Sequence, residues 1–351
     1  MKYRAKNLDV RKLLDRPRWQ EWLEYELTHM RRLCPEFQMT YDNFSPDALE
    51  WSYYHDACLK PGSHEVVELL HRMAEAIPVK YHRYLHQGLT SSNVIDGCNH
   101  IRWKELLHLY VAAYSDIPTV KEDLNLNGYT HGMRATVTSL RHRQESALIG
   151  LPLIKKHLPG ILDGGPVGFE TTDNMNLHRQ AFPRHAYFQL WSNLLVGSAS
   201  LSQLALDYRF YASDLRIGMK LVYNGTTSSA MPGKNNPSEW ERINSLDLLI
   251  RGCVMTLMST PPQWLDRDLV HSAMERETID RLWEYAFYQL EEMTRLLSTS
   301  KLVVTDEVKN EPTSGRMNLL LEEGHDWHTA RLLSKDEKYW ADRRVPEAEP
   351  S

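Results

Sequence analysis

The stretch from Thr227 to Pro237 reads TSSAMPGKNNP, and a helical pattern follows it at once. Its glycine and its small hydroxyl residues predict a mobile loop. We expect the next helix to begin with Asn236 as N-cap and Pro237 at its first position, with Glu239 completing a capping box. Free backbone N–H groups and the positive end of the helix dipole would then lie beside Lys234, which suits a carboxylate. An ordinary capped helix after a surface loop explains the same pattern equally well.

Helical periodicity continues on both sides of this stretch, and the alternation typical of strands is nearly absent. Several predicted helices are about twice the usual length of about 11 residues. Their connections are short and carry Gly and Pro, which favours a bundle. The sequence therefore predicts an all-α, long-helix bundle, with helices at about residues 17–33, 64–77, 93–114, 136–157, 183–217, 237–259 and 277–303.

One segment, residues 186–206, carries no charged residue and is long enough to span a bilayer. Its several Ser, Asn and Gln residues make it too polar for a membrane span. A helix that is apolar on most sides and has small residues along it is typical of a buried position in a bundle. We therefore predict a buried helix and no membrane association.

Composition narrows the function classes. The 351 residues can bury a large core, and the net charge of −5 with no Lys/Arg run gives no basic surface for nucleic acid. The four cysteines are far apart and form no CxxC pair, which favours reduced thiols over disulfides or a zinc site. The charged N-terminus does not resemble a secretory signal, so we expect a cytoplasmic protein.

Three further groups of residues suggest chemistry, although each has an ordinary structural explanation. His131 and His86 each stand in a connection between helices, and a single histidine is usually structural or solvated. His82 and His86 have helical metal-ligand spacing, but no HExxH pattern or carboxylate cluster accompanies them, so we do not expect a metal site. Arg267 and Arg276, with a serine between them, have a spacing that suits an anion such as phosphate, or else a solvated helix start.

Taken together, these segments resemble the fumarase/aspartase superfamily in order and in approximate spacing. The motifs are the Thr-Ser segment at residues 90–92, the Thr-His segment at residues 130–131 and the Thr227–Pro237 stretch. Within the superfamily the chain is most similar to the adenylosuccinate lyase family, over about residues 20 to 333. That similarity lies in HQGLTSSN at 86–93, QAFPRH at 180–185, ASDLR at 212–216 and QWLDRDLVHSAMER at 263–276.

The resemblance implies a β-elimination that releases fumarate from a succinyl group attached to nitrogen. The proton to be removed is weakly acidic, so a base is needed, together with donors that stabilise the carboxylate as it gains charge. By position, Ser228 matches the family's base and His131 its general acid. Lys234 and Glu241 match further catalytic residues: the first holds a succinyl carboxylate and the second orients the site.

The resemblance also implies substrate contacts and an assembly. Arg267, Ser272 and Arg276 match contacts to a nucleotide phosphate, which favours a purine nucleotide as substrate. The remaining implied substrate contacts are His86, Thr90, Ser91, Ser92, Thr130, Gln180, Ser229, Met231, Asn236 and Arg242. The family needs no metal and no organic cofactor. It is usually a homotetramer with a twenty-helix core, in which each active site draws on three subunits.

The chain departs from the family pattern in several places. Asn93 replaces an acidic residue, Met133 and Arg134 replace smaller or Gln/Pro-type residues, and Thr227 replaces a glycine, which should stiffen the loop. Most of the family's C-terminal helical domain has no counterpart. We accordingly expect an N-terminal helical domain at residues 1–92, a central bundle at 93–307 and a short C-terminal remnant at 308–351.

The sequence leaves several activities open. The substrate is expected to be adenylosuccinate, a deoxy or 2-amino analogue, or the related succinyl-aminoimidazole carboxamide ribotide. Another superfamily reaction is the first alternative, of the argininosuccinate lyase or carboxymuconate cycloisomerase type. A non-catalytic relative is the second, and the joint retention of Ser228, His131, Lys234 and Asn236 argues against it.

Overall fold

The computed structural model describes residues 3–44, 62–120, 124–162, 184–213, 219–231, 234–260, 269–304, 312–341 and 343. Helices dominate these ranges, which confirms the predicted all-α fold class. The helices are α1 Leu8–Leu14, α2 Arg18–Leu33, α3 Glu65–Ala76, α4 Ser91–Ser115, α5 Leu140–Ala147, α6 Gly150–Leu162, α7 Phe188–Tyr211, α8 Ser238–Met258, α9 Ser272–Thr299, α10 Pro312–Glu322, α11 Trp327–Leu333 and α12 Glu337–Ala341. Short 3₁₀ segments occupy Tyr41–Phe44, Val79–Tyr84 and Arg184–Tyr187.

Three small antiparallel sheets accompany the helices within the described ranges. Strand β1 (Asn125–Thr130) pairs with β2 (Met133–Ser139). Strand β3 (Met219–Val222) pairs with β6 (Lys301–Val304), and β4 (Thr226–Thr227) pairs with β5 (Asn235–Asn236).

The chain forms two compact units, each assembled from separate stretches of sequence. The first unit comprises residues 1–117, 150–202 and 243–294, and the second comprises 118–149, 203–242 and 295–351. The predicted division into three consecutive domains follows sequence order and stays a prediction.

Helix α4 shows why the first unit folds as it does. Its N-cap Thr90 accepts a hydrogen bond from the Asn93 backbone N–H, and the Asn93 side chain accepts one from the Thr90 N–H, which completes a capping box. Asn93, where the family pattern has an acidic residue, therefore has a structural role in the N-terminal cap of α4. At Gly97 the helix lies against the Tyr25 ring of α2, and a Cβ built there would be 2.4 Å from Tyr25 Cε2.

Buried side chains of α2, α3 and α4 form one core cluster of the first unit, which includes Leu23, Met30, Leu69, Met73 and Val94. Their apolar positions recur at helical spacing, so each helix turns one face to the cluster.

The helix that contains the uncharged segment is also buried, as predicted. In the first unit, Leu194 and Leu201 of α7 are fully buried. Ser198 Oγ donates to Asp247 Oδ1 of α8 over 2.8 Å, and Gln289 Nε2 of α9 donates to the Ile243 carbonyl over 3.0 Å. These buried polar contacts link α8 to α7 and to α9. No helix in the described part of the chain is long and apolar enough to cross a membrane.

The predicted helix at residues 136–157 is wrong at its start and in its middle. Residues 133–139 form strand β2, and the helical part is divided between α5 and α6. Thr136, Val137 and Thr138 are β-branched, and such side chains favour extended backbone over a helix. Ser139 then caps α5 by accepting from the His142 N–H.

Replacing Gly97 with alanine should destabilise the first unit, although alanine favours a helix. The new Cβ would overlap the buried Tyr25 ring, and overpacking of this kind costs about 1–3 kcal/mol. Glu105→Ala, at an exposed position of the same helix, is the control and should change the free energy of unfolding by no more than about 0.5 kcal/mol. Denaturant titrations of the two variants measure this difference, and equal free energies of unfolding would contradict the close approach.

Candidate functional site

The Thr227–Pro237 stretch forms the end of a short hairpin. Thr226 pairs with Asn236 and Thr227 with Asn235 across β4 and β5. The Ser228 N–H donates to the Lys234 carbonyl over 3.0 Å, so the hairpin continues one step beyond the strands. Hydrogen bonds therefore hold residues 226–228 and 234–236 in a stem, so the expectation of a mobile loop does not apply to these residues.

The Ser228 hydroxyl lies inside this tip. Its Oγ accepts hydrogen bonds from the Met231 N–H over 3.1 Å and from the Ala230 N–H over 3.3 Å. Two backbone donors aimed at one oxygen favour negative charge on it. Ser229 and Met231 are exposed beside Ser228.

The helix after the hairpin begins later than predicted. Helix α8 starts at Ser238, and the Glu241 N–H donates to the Pro237 carbonyl over 3.0 Å. Asn236 belongs to β5 because its backbone pairs with Thr226, so it is not the N-cap. Glu239 does not complete a capping box either, since its carboxylate accepts from Arg295 Nη2 over 2.9 Å.

A cavity of about 750 Å³ in the second unit collects three of the predicted residues, Lys234, Asn236 and Glu241. Arg209 and Lys220 line it as well, and Arg209 Nη2 lies 3.7 Å from Glu241 Oε1. The three cations outnumber the one carboxylate, so the lining suits an anionic ligand. Ser228 and Met231 are not among its described lining residues, and Arg242 is half-buried on the first turns of α8.

His131 lies at the turn of the β1–β2 hairpin, where Thr130 pairs with Met133. Its backbone has φ +52°, and the next residue, Gly132, has φ +76°. Two successive residues with positive φ define the two-residue turn that favours Asn and Gly. A histidine tolerates this conformation less well than either, and its exposed side chain gains no packing in return.

His86, in the first unit, has the same backbone peculiarity, with φ +54°. Its Nδ1 lies 2.6 Å from Oε1 of Glu26, a carboxylate that is fully buried. Because a carboxylate only accepts, Nδ1 carries the hydrogen, and Nε2 is the ring nitrogen that remains for a ligand. Sequence reasoning identified His86 but not the glutamate that orients it.

A second cavity, of about 490 Å³, lies within the first unit and brings together Ser92, Ser272 and Arg276. These residues come from the first turns of α4 and α9. Thr90 and Ser91 lie just before and at the start of α4, although neither is among the described lining residues. The other two predicted contacts, Gln180 and Arg267, lie outside the described residues.

Charged side chains at this cavity are arranged in pairs. Arg276 Nη1 lies 2.7 Å from Glu65 Oε2, in an ion pair that is largely exposed. Arg184 donates from Nη1 to Asp96 Oδ2 over 2.9 Å and from Nε to Glu275 Oε1 over 2.7 Å. Burial raises the pKa of the Glu275 carboxyl to about 7, although Arg184 opposes this shift.

His64 also lines this cavity, and sequence reasoning missed it. Its Nδ1 is buried and has no hydrogen-bond partner within the described structure. A buried imidazole nitrogen without a partner usually costs free energy, which makes His64 a candidate for a further ligand contact. The one signal in the sequence was its place directly before α3, and that signal is weak.

Glu275 should make the stability of the protein depend on pH. Its pKa is higher in the folded protein than the ordinary value of 4.5, so the folded state disfavours the ionised form. The resulting loss of stability grows as the pH rises from about 4.5 through about 7 and is constant above that range. The melting temperature of Glu275→Gln should therefore rise relative to wild type across this window. A difference between the two proteins that does not change between pH 5 and pH 8 would contradict it.

The turn at His131 should tolerate asparagine better than a β-branched residue. His131→Asn should keep or raise the melting temperature, because asparagine adopts positive φ more readily. His131→Val should lower the free energy of unfolding by about 1 kcal/mol or more. Thermal unfolding of both variants compares them, and a loss of stability in His131→Asn equal to that in His131→Val would show that the side chain has a structural role.

Comparisons with known proteins agree with this fold. No family model matches the chain. Curated adenylosuccinate lyases are similar in sequence: that of Archaeoglobus fulgidus is 26% identical over 290 residues, which are 73% of this chain and 65% of that protein. That of Bacillus subtilis is 26% identical over 251 residues, 62% of this chain and 57% of that protein. That of Deinococcus radiodurans is 24% identical over 249 residues, 61% and 57% of the two chains. The chain thus spans less than two thirds of the length of these relatives.

Two solved structures share the fold over most of the chain. The 3-carboxy-cis,cis-muconate lactonizing enzyme from Pseudomonas putida superposes with a TM-score of 0.69 at 18% identity, covering 95% of this chain and 85% of that one. A fumarate lyase from Mesorhizobium sp. BNC1 superposes with a TM-score of 0.68 at 15% identity, covering 95% and 86%. The chain therefore has the helical fold of the fumarase/aspartase-type lyases and is similar in sequence to adenylosuccinate lyases.

Proposed function

We propose that this protein is a carbon–nitrogen lyase that releases fumarate from an N6-succinyl purine nucleotide. The substrate is adenylosuccinate or a deoxy or 2-amino analogue, and succinyl-aminoimidazole carboxamide ribotide is a second substrate of the same site. Ser228 removes the proton from the succinyl carbon next to a carboxylate. The electron pair forms the fumarate double bond, the C–N bond breaks, and His131 gives a proton to the departing nitrogen.

The hydrogen bonds to Ser228 Oγ carry this proposal. A serine hydroxyl is a poor base unless its oxyanion is stabilised, and the Ala230 and Met231 N–H groups both point at this oxygen. The Lys234 carbonyl holds the Ser228 N–H, and its ammonium is the positive charge that we assign to the same step. Both features favour the alkoxide that the reaction needs.

Each unit, taken by itself, has a cavity whose lining suits one kind of group on the proposed substrate. Lys234 and Asn236 line the cationic cavity of the second unit and are the residues that we assign to the succinyl carboxylates. Ser272 and Arg276 line the cavity of the first unit and are assigned to the phosphate, which takes the place of Glu65 as the partner of Arg276. The remaining substrate contacts are proposed from their positions in the sequence alone. They are Thr90, Ser91, Ser92, Thr130, Gln180, Ser229, Met231, Arg242 and Arg267.

Self-association into a homotetramer is part of the same proposal. Leu248, Leu249 and Met255 of α8 are 68%, 42% and 61% exposed, and Leu248 and Met255 are seven residues apart, which places them on one face of the helix. A row of exposed apolar side chains on one long helix favours contact with another helix. In the predicted homotetramer, a second copy of this chain supplies the helix that contacts these side chains.

Another superfamily reaction is the second candidate, because one structural neighbour is a muconate lactonizing enzyme. Substrates of that type, and argininosuccinate, have no nucleotide phosphate. Their turnover would therefore be largely independent of Arg276. A non-catalytic relative is the third candidate and would release no fumarate at all.

Purified protein should release fumarate from adenylosuccinate, followed by absorbance. Ser228→Ala should lower kcat about 100-fold or more, because the base is lost. His131→Asn should also lower kcat while keeping its melting temperature. Arg276→Ala should raise KM about 10- to 100-fold, since a charge-assisted hydrogen bond to phosphate is lost.

Ser259→Ala is the matched control, because this exposed hydroxyl bonds only its own helix, donating to the Met255 carbonyl over 2.7 Å, and should leave turnover unchanged. Wild type without fumarate release, or with a rate equal to that of Ser228→Ala, would reject the proposal. Turnover that is insensitive to Arg276→Ala would reject the nucleotide substrate and favour the second candidate. Ribo- and deoxyribonucleotide substrates assayed side by side identify the preferred sugar.

A further inference from the structure

Arg184 joins the start of α4 to the start of α9. Arg184 precedes α7, and its guanidinium donates to Asp96 on α4 and to Glu275 on α9. A third bond, from Nη2 to Glu275 Oε2 at 3.2 Å, makes the contact with Glu275 bidentate. All three side chains are largely buried, with Arg184 11% exposed and the carboxylates 7% and 17% exposed.

The two carboxylates are placed next to the residues that we assign to substrate. Asp96 lies one helical turn after Ser92, so the two share a face of α4. Glu275 lies between Ser272 and Arg276 on the first turns of α9. Ser92, Ser272 and Arg276 line the same cavity as Arg184 and both of its partners. Arg184 therefore helps to fix the spacing of the two helix starts, together with Arg18, which contacts Asn99 of α4 and Asp280 of α9 about one turn further on.

Arg184 itself is engaged by protein groups. Its Nε and both terminal nitrogens already donate to the two carboxylates. These bonds occupy three of the five guanidinium N–H donors. An anion bound by the remaining donors would have to share the cation with two buried carboxylates, which disfavours it. The geometry therefore favours a role in holding other residues over direct contact with the substrate.

We propose that Arg184 is a positioning residue for the nucleotide end of the substrate, acting by fixing α4 and α9 at the cavity. The chemistry of the side chain explains why arginine stands here. A guanidinium presents a planar fork of donors that reaches two carboxylates at once, whereas an ammonium is a single point of charge. The inference rests on the proposed function for the identity of the ligand, but the cross-link between the helices does not.

Three variants test the role. Arg184→Gln removes the charge and the fork, and Arg184→Lys keeps the charge alone. Arg11→Gln is the matched control, because Arg11 also joins two carboxylates of the first unit, Asp15 and Glu284, and does not line the cavity.

Hydrogen–deuterium exchange of the ligand-free protein is the first measurement. Arg184→Gln should speed exchange at residues 94–98 and 275–279 at least 10-fold, Arg184→Lys should do so less, and Arg11→Gln should leave both segments unchanged. This measurement needs no substrate, so it tests the cross-link even if adenylosuccinate is not turned over. Unchanged exchange at both segments in Arg184→Gln would overturn the inference.

The second measurement separates positioning from direct contact and from general damage. In steady-state assays with adenylosuccinate, Arg184→Gln should raise KM about 10-fold with kcat changed less than about 3-fold. Arg184→Lys should fall between it and wild type. A raised KM with unchanged exchange would mean that Arg184 contacts substrate directly, and KM values equal to that of Arg11→Gln would mean that it has no role at the site. Either result contradicts the proposal.

Discussion

The cost of removing charged groups from water constrains this structure more than any other single factor. A buried charge is tolerated only where a partner of opposite charge and good geometry lies beside it. The first unit meets this condition with arginines. Arg102, 2% exposed, donates from Nε to Glu21 over 2.8 Å, and Arg184 bridges Asp96 and Glu275. Each arginine cross-links elements that are distant in sequence, while the apolar faces supply most of the stabilising burial.

The same constraint distinguishes the first-unit cavity from the two hairpin tips of the second unit. Side chains at the first-unit cavity come from helix starts held by caps and ion pairs, as at Thr90 and Arg184. Ser228 and His131 stand instead at the tips of two short hairpins in the second unit, where the chain has few buried contacts. Segments of this kind open at low free-energy cost. The residues proposed as base and acid thus stand on segments that can move, whereas the side chains of the first-unit cavity are held in place.

Much of the helical architecture was predictable, because buried faces recur with a period of 3.6 residues. The helix predicted at 64–77 is found at Glu65–Ala76, and that predicted at 93–114 is found at Ser91–Ser115. The β1–β2 hairpin was not predicted, since β2 is short and runs directly into α5. The start of α8 was misplaced because a cap pattern at Asn236 competes with strand pairing, and the pairing with Thr226 prevails.

The site was predictable where residues stand together in sequence, as at the Thr227–Pro237 stretch, and not where folding brings them together. Arg184 lies 88 positions from Asp96 and 91 from Glu275, and no local pattern connects them. Glu26 and His86 are 60 positions apart. Neither pairing has a local signature, because helix packing alone brings the partners into contact.

Backbone geometry gives an argument for function that is independent of the sequence motifs. Among the residues that the structure describes, His86 and His131 are the two non-glycine residues with positive φ. Such a conformation costs of order 1 kcal/mol. If these positions had only a structural role, glycine or asparagine would make the turn more stable. The sequence motifs single out the same two histidines. Strain at these two positions is expected if each histidine is present for the chemistry of its imidazole and not for the shape of the turn.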